Sequence, residues 1–213
     1  MKKIVLVGDS IRLGYEKYVK EAFDGVAEVY SPAENCRFAQ YVLRNFHEWK
    51  RKHEWPDDVD VVHWNAGLWD TITLFEDGTL TPPDFYADTV RRIDKRIRMC
   101  YPNAKVIFAT STHVQEDKYL NKKKAARYNS DTAKFNRLAI EALEGTGTYI
   151  DDLFEVTEDA PESAFSDMTH YNTPEGCELI GGAVVRCICE VLDIDVPEKK
   201  IEDVTLTEKP LGI

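Results

Sequence analysis

Short apolar runs that alternate with segments of helical periodicity constrain this fold more than any other sequence feature. The segments with helical spacing of apolar residues are Phe38–Trp49, Tyr86–Met99, Ala133–Leu143 and Pro174–Leu192. The runs typical of buried strands are Lys3–Val7, Val26–Tyr30, Val59–Trp64, Val106–Thr110 and Thr148–Ile150. This alternation predicts right-handed βαβ units and an α/β fold, in which helices cover both faces of a parallel sheet of about five strands.

The length of 213 residues is consistent with a single domain. We expect the domain to span residues 1–192, with Thr173 as the N-cap and Pro174 as the first residue of the last helix. Residues 193–213 are charged and contain Pro197 and Pro210, so we expect a C-terminal arm on the surface.

Charge argues against two classes of partner. The chain has 38 acidic and 27 basic residues, for a net charge of −11, which disfavours binding to nucleic acids and anionic membranes. The one basic cluster, Lys122 to Lys124, is expected to be solvated. The apolar run after Met1-Lys2-Lys3 is too short for a signal sequence, so we expect a cytoplasmic protein. The sequence leaves the oligomeric state open.

The five cysteines do not suggest a metal site. Cys36, Cys100, Cys177, Cys187 and Cys189 are irregularly spaced, and no Cys-x-x-Cys pair occurs. We therefore expect reduced thiols and no metal or other cofactor.

Polar segments that follow the predicted strands carry the candidate chemistry, because parallel sheets bind ligands beyond the carboxyl ends of their strands. Ser10 follows the first strand and is placed to attack a bound carbonyl; alternatively, Asp9 or Ser10 caps the first helix. His170 follows Asp167 by three residues, a spacing that lets the carboxylate hold one ring nitrogen while the other takes a proton. The alternative is a loop aspartate beside a surface histidine.

A third segment, His63 to Asp70, follows the third strand. The N–H of Gly67 and the amide of Asn65 are candidate donors to an oxyanion. Trp64 and Trp69 lie in the same segment, and for both the alternative is packing in the core.

Gly8-Asp9-Ser10, together with Asp167-x-x-His170, resembles the first and last sequence blocks of the SGNH (GDSL-type) hydrolases. The resemblance covers residues 2–192. It implies a flavodoxin-like, three-layer α/β/α sandwich and cleavage of esters or thioesters, with Ser10 as the nucleophile and His170 as its base. Asp167 would hold the imidazole, and the N–H groups of Ser10 and Gly67 would face the oxyanion.

Two blocks depart from the family pattern. The second block usually supplies a glycine N–H, but the corresponding loop, Pro32 to Arg37, contains no glycine. The third block is usually Gly-x-Asn-Asp, whereas this chain has Trp69 in place of the asparagine. Either Asn65 or Asn35 is the candidate replacement for the missing amide.

We expect a serine esterase that hydrolyses short-chain esters, acetyl above all, of a polar alcohol such as a carbohydrate, through an acyl-enzyme. Trp69 and Tyr171 are candidate walls for a sugar ring. Arg12 and Arg37 would bind a substrate carboxylate or else pair with surface acids. His113 is expected at the rim or in a structural role. The alternatives are a lysophospholipase or acyl-thioesterase, and a catalytically silent binding module with this fold.

Overall fold

A five-stranded parallel sheet forms the centre of the protein. The computed structural model describes residues 1–119 and 121–197. The strands of the central sheet are β1 (Lys2–Val7), β2 (Ala27–Tyr30), β3 (Val61–Trp64), β5 (Lys105–Ala109) and β7 (Tyr149–Asp151). They lie in the order β2-β1-β3-β5-β7, and every neighbouring pair is parallel. All five predicted strands are confirmed, with ends shifted by one or two residues.

Helices cover both faces of this sheet. They are α1 (Ser10–Ala22), α2 (Ala39–Lys52), α3 (Pro83–Cys100), α4 (Asn129–Leu143), α5 (Leu153–Val156) and α6 (Pro174–Leu192). On one face α1 packs against α6, and on the other α3 packs between α2 and α4. The three-layer, flavodoxin-like sandwich is therefore confirmed. The last helix begins as predicted, since the Thr173 hydroxyl accepts the Gly176 N–H at 3.0 Å and Pro174 follows the cap.

Alternating side chains of the strands fill two separate cores. Ile4 and Leu6 point towards α1 and α6, whereas Val5 and Val7 point towards α2 and α3. All four are fully buried, which explains why β1 is a continuous apolar run in the sequence. The packing fixes the carboxyl end of β1, where the chain continues into Gly8 and Ser10.

The chain reverses direction at Asp77 and Gly78, beside a second, two-stranded sheet. Thr73 forms a bridge to Thr79, so the chain reverses there. The strand β4 (Thr73–Leu74) also pairs with β6 (Ala125–Ala126) in antiparallel register. The Lys122–Lys124 cluster is exposed in the turn before β6, in agreement with a solvated cluster.

At its carboxyl end α6 is followed by Asp193 in the left-handed conformation (φ 55°). Ile194 then packs partly against the core. Residues 198–213 of the expected C-terminal arm lie outside the described residues, so that prediction stands as one. Among the described residues, no helix has the length and apolarity needed to span a bilayer.

Candidate active site

Ser10 lies where β1 passes into α1. The Asp9 carboxylate caps this helix by accepting the Ile11 N–H at 2.9 Å, so the capping alternative for Asp9 is correct. Ser10 is the first helical residue and is partly exposed. Because the first N–H groups of a helix have no partner within it, the N–H of Ser10 can serve a ligand.

The turn before α6 holds Asp167 against His170. One carboxylate oxygen of Asp167 accepts the backbone N–H groups of Thr169 and His170 at 2.7 and 2.8 Å. The other oxygen lies 2.7 Å from Nδ1 of His170. The Asp-x-x-His spacing thus lets a single carboxylate fix both the turn and the imidazole ring.

The imidazole also reaches the nucleophile candidate. Nε2 of His170 lies 2.9 Å from Oγ of Ser10, across 160 positions of sequence. With Nδ1–H donating to Asp167, Nε2 is free to accept the hydroxyl proton. Partial burial raises the pKa of Asp167, but the hydrogen bonds from His170 and from the two backbone N–H groups outweigh it and bring the pKa to about 2. Asp167 is therefore ionised at neutral pH.

A second histidine–aspartate pair lies within the sheet, where it joins two strands. Nε2 of His63 is 2.9 Å from an Asp151 oxygen, and both side chains are buried. The other ring nitrogen, Nδ1, has no hydrogen-bond partner among the described residues. This pair ties β3 to β7 and does not share the geometry around His170.

Gly67 follows β3 in a conformation that only glycine adopts readily (φ 155°). A Cβ atom at this position would lie 2.5 Å from Oγ of Ser111 and 3.0 Å from the Tyr86 hydroxyl. The carbonyl of Gly67 accepts the Thr71 N–H at 3.0 Å. Backbone conformation and space therefore both require a glycine in this loop.

The two candidate asparagines differ in what they already bind. The Asn65 amide donates to the Ala109 carbonyl at 3.2 Å, and the side chain is 7% exposed. Asn35 is partly exposed, and its side-chain oxygen accepts the Arg37 N–H at 2.8 Å. The Cys36 N–H donates to the Gly8 carbonyl at 3.2 Å, which places the Asn35 loop directly beside the end of β1.

Asp70, to which the sequence analysis gave no role, joins the loops that follow β2 and β3. Its carboxylate accepts the Ala39 N–H at the start of α2 at 3.0 Å and the Thr81 hydroxyl at 2.7 Å. Helix α2 has no side-chain cap of its own, so Asp70 supplies one from a distant part of the chain. Burial raises the pKa of Asp70 to about 7.

A role for Arg127 was not predicted from the sequence either. Its Nε donates to the Leu68 carbonyl at 2.8 Å, and Nη1 donates to the Tyr119 hydroxyl at 3.1 Å. The Tyr119 hydroxyl in turn lies 2.8 Å from Oγ1 of Thr169. This chain of contacts links the Gly67 loop to the Asp167–His170 turn. No sequence signal marks Arg127, because it follows a run of lysines and alanines.

Two of the four predicted substrate-binding residues are wrong. The Arg12 side chain is completely buried, pairs with Glu16, and donates to the Glu34 carbonyl at 2.6 Å. Tyr171 is 3% exposed and donates its hydroxyl to the His113 carbonyl at 3.0 Å. Each side chain holds loops together from inside, because a buried polar group needs an internal partner.

The other two predicted substrate-binding residues lie at the surface. Trp69 is partly exposed in the loop after β3, whereas Trp64 is fully buried in the core. Arg37 is exposed, has a left-handed backbone (φ 52°), and places its guanidinium 5.3 Å from the centre of the Tyr41 ring. His113 stacks on Phe154 with ring centres 3.6 Å apart, and its Nδ1 lies 3.0 Å from the Phe154 carbonyl oxygen, contacts that are consistent with a structural role.

Comparison with solved structures identifies the fold. A lipase/acylhydrolase from Enterococcus faecalis aligns over 94% of this chain and all of its own, with a TM-score of 0.68 and 19% identity. An acetyl xylan esterase from Geobacillus stearothermophilus aligns over 88% of this chain and 94% of its own, with a TM-score of 0.67 and 15% identity. A GDSL-like lipase from Bacteroides thetaiotaomicron aligns over 89% and 88%, with a TM-score of 0.65 and 15% identity.

The chain has the SGNH/GDSL hydrolase-type fold. This agrees with the resemblance of its first and last sequence blocks. No protein-family model matches the sequence, and no curated protein matches it either. At these identities the comparisons establish the SGNH/GDSL-type fold, and the chemistry must be argued from the residues of this chain.

Proposed function

We propose that this protein is a serine esterase that hydrolyses short acyl esters, acetyl esters above all, of a polar alcohol such as a carbohydrate. One observation carries the proposal: Ser10, His170 and Asp167 lie in a single hydrogen-bonded line, with separations of 2.9 and 2.7 Å. A hydroxyl, an imidazole and an ionised carboxylate in this order form the arrangement that activates a serine.

The reaction would proceed in two steps. His170 takes the proton of Ser10 as Oγ attacks the ester carbonyl, and then gives that proton to the departing alcohol. The ionised Asp167 keeps Nδ1 protonated and stabilises the imidazolium. Water, activated by the same histidine, then cleaves the acyl-enzyme and restores Ser10.

The oxyanion would be stabilised by the N–H groups of Ser10 and Gly67 and by one asparagine. Asn35 is the better candidate, because it is partly exposed, whereas Asn65 is buried and one of its two amide N–H groups donates to the Ala109 carbonyl. The side-chain NH₂ of Asn35 has no hydrogen-bond partner among the described residues, and its oxygen accepts the Arg37 N–H. A donor aimed at the developing charge is typically worth about 2.7–4 kcal/mol.

Trp69 supports a polar, ring-shaped alcohol. It is the partly exposed tryptophan of the Gly67 loop, and an indole face offers flat apolar area to a sugar. Acetyl xylan esterases are among the solved proteins that share the fold. Lipases and acylhydrolases share it as well, so acyl chain length is the property to measure.

The test is hydrolysis of 4-nitrophenyl acetate and octanoate by the wild type, Ser10→Ala and a matched control, Ser163→Ala. The control changes an exposed serine in the short 3-10 helix Glu162–Ala164. We expect Ser10→Ala to lose several orders of magnitude in kcat with its melting temperature unchanged, and Ser163→Ala to behave as wild type. The acetate should be the better substrate. Near-normal turnover by Ser10→Ala would refute the proposal, and a preference for octanoate would favour the lipase alternative.

A further inference from the structure

A buried cation without a carboxylate partner lies between the two loops of the candidate site. Arg127 is 5% exposed, and no carboxylate of the described residues comes within 4.0 Å of it. Its Nε and Nη1 donate to a carbonyl and a hydroxyl, whereas Nη2 has no hydrogen bond to any described residue. Leaving a buried charge unpaired is costly, so such groups are normally compensated.

The other buried arginine shows how this chain compensates such a charge. The Arg12 side chain is fully buried and forms an ion pair with Glu16. Arg127 is close enough to Asp9 for its charge to lower the pKa of that carboxyl, but burial has the larger effect and raises the pKa of Asp9. Asp9 forms no ion pair with Arg127, since their charged atoms are more than 4.0 Å apart.

The location of Arg127 indicates what would compensate it. Leu68, whose carbonyl it binds, directly follows Gly67. Tyr119 connects it to Thr169, the residue before His170. The guanidinium is thus held between the candidate oxyanion loop and the turn that carries the candidate base.

We propose that Arg127 binds a carboxylate of the substrate, so that the preferred substrates are esters bearing a negative charge. This inference rests on the proposed esterase function. A guanidinium presents planar, paired N–H donors that match a carboxylate, and the interaction is strong where water is excluded. In this assignment Arg127 takes the role that the sequence suggested for Arg12.

The first experiment uses the wild type alone. It compares kcat/KM for 4-acetoxybenzoate with its neutral methyl ester, which places the carboxylate on the alcohol. It also compares 4-nitrophenyl hydrogen succinate with 4-nitrophenyl butyrate, which places the carboxylate on the acyl group. We expect a preference of about tenfold or more for the charged ester in one of the two pairs. Equal rates within both pairs would overturn the proposal.

Variants show whether Arg127 recognises the charge of the substrate or only supports the two loops. Arg127→Met should abolish the preference, and Arg127→Lys should keep part of it because the charge remains. Tyr119→Phe removes the link to Thr169 but keeps the guanidinium, so the ratio of charged to neutral rates should stay as in wild type. If Arg127→Met, shown to be folded by circular dichroism, slowed the charged and neutral esters equally, Arg127 would only position loops.

The same data separate this inference from the proposed function. If Ser10→Ala hydrolysed these esters as fast as wild type, the esterase proposal itself would fail. If hydrolysis of the neutral esters required Ser10 but neither charged ester was preferred, the esterase would stand and the carboxylate site would be refuted.

Discussion

Replacement of Asp70 by asparagine should remove a specific pH dependence of stability. The side chain is fully buried between Ala39 and Thr81, and burial raises its pKa from 3.8 to about 7. In the unfolded chain the carboxyl loses its proton near pH 4, whereas in the folded protein it keeps the proton until about pH 7. The folded state therefore binds more protons over this interval, and the free energy of unfolding falls as the pH rises from about 4 to 7.

The size of the effect follows from the shift. About three pKa units at 1.36 kcal/mol each correspond to about 4 kcal/mol of unfolding free energy. Asp70→Asn preserves an oxygen for the Ala39 N–H and an NH₂ group for the Thr81 hydroxyl. The variant should resemble wild type near pH 4 and exceed its stability by up to about 4 kcal/mol at pH 8.

Urea denaturation of wild type and Asp70→Asn at half-unit intervals between pH 4 and 8 measures this difference. Asp84→Asn, which changes an exposed carboxyl in the first turn of α3, is the control and should follow wild type throughout. Unfolding free energies of wild type and Asp70→Asn that stay parallel over the whole range would refute the reasoning.

Three further predictions concern the loops around Ser10. Gly67→Ala should lower the free energy of unfolding by about 2–5 kcal/mol, because the new Cβ would contact Ser111 and an alanine would be strained in this backbone conformation. An unchanged melting temperature would contradict this. Asn35→Ala should reduce kcat on 4-nitrophenyl acetate about a hundredfold. Asn65→Ala should reduce kcat much less, after correction for the fraction of folded protein. If Asn65→Ala caused the larger loss, Asn65 and not Asn35 would be the oxyanion donor. Trp69→Ala should lose activity on acetylated sugars, measured as released acetate, yet keep most activity on 4-nitrophenyl acetate, and equal losses on both would count against stacking.

The elements that the sequence predicts well are those in which local pattern and burial agree. Val5 and Val7 alternate with Ile4 and Leu6 in one apolar run, because a strand covered on both faces has no polar side. The start of α6 was predicted to the residue, since Thr173 and Pro174 have one natural place in a helix. The short antiparallel pair of β4 and β6 was missed, because it joins segments about fifty residues apart with only two residues each.

For the site as well, the sequence predicts local contacts but not those between distant segments. The contacts within the Asp167–His170 turn are local, and their spacing alone indicates them. Arg12 and Tyr171 were misplaced because sequence proximity to a strand end or a histidine does not determine which way a side chain points. Arg127 was missed because its partners, Leu68 and Tyr119, lie in separate loops that only the tertiary fold brings together.

The bond between Ser10 and His170 has a consequence for folding. It joins the junction between β1 and α1 to the turn that precedes α6. In addition, helix α1 packs directly against α6. Contacts of such sequence separation form late and slowly, because the intervening chain must first be ordered. A nascent chain cannot bring the reacting groups together until residue 170 has been synthesised and its turn has docked against the carboxyl end of β1. Recovery of esterase activity after dilution from urea would therefore report closure of the two ends of the domain, and should lag behind the recovery of helical circular dichroism.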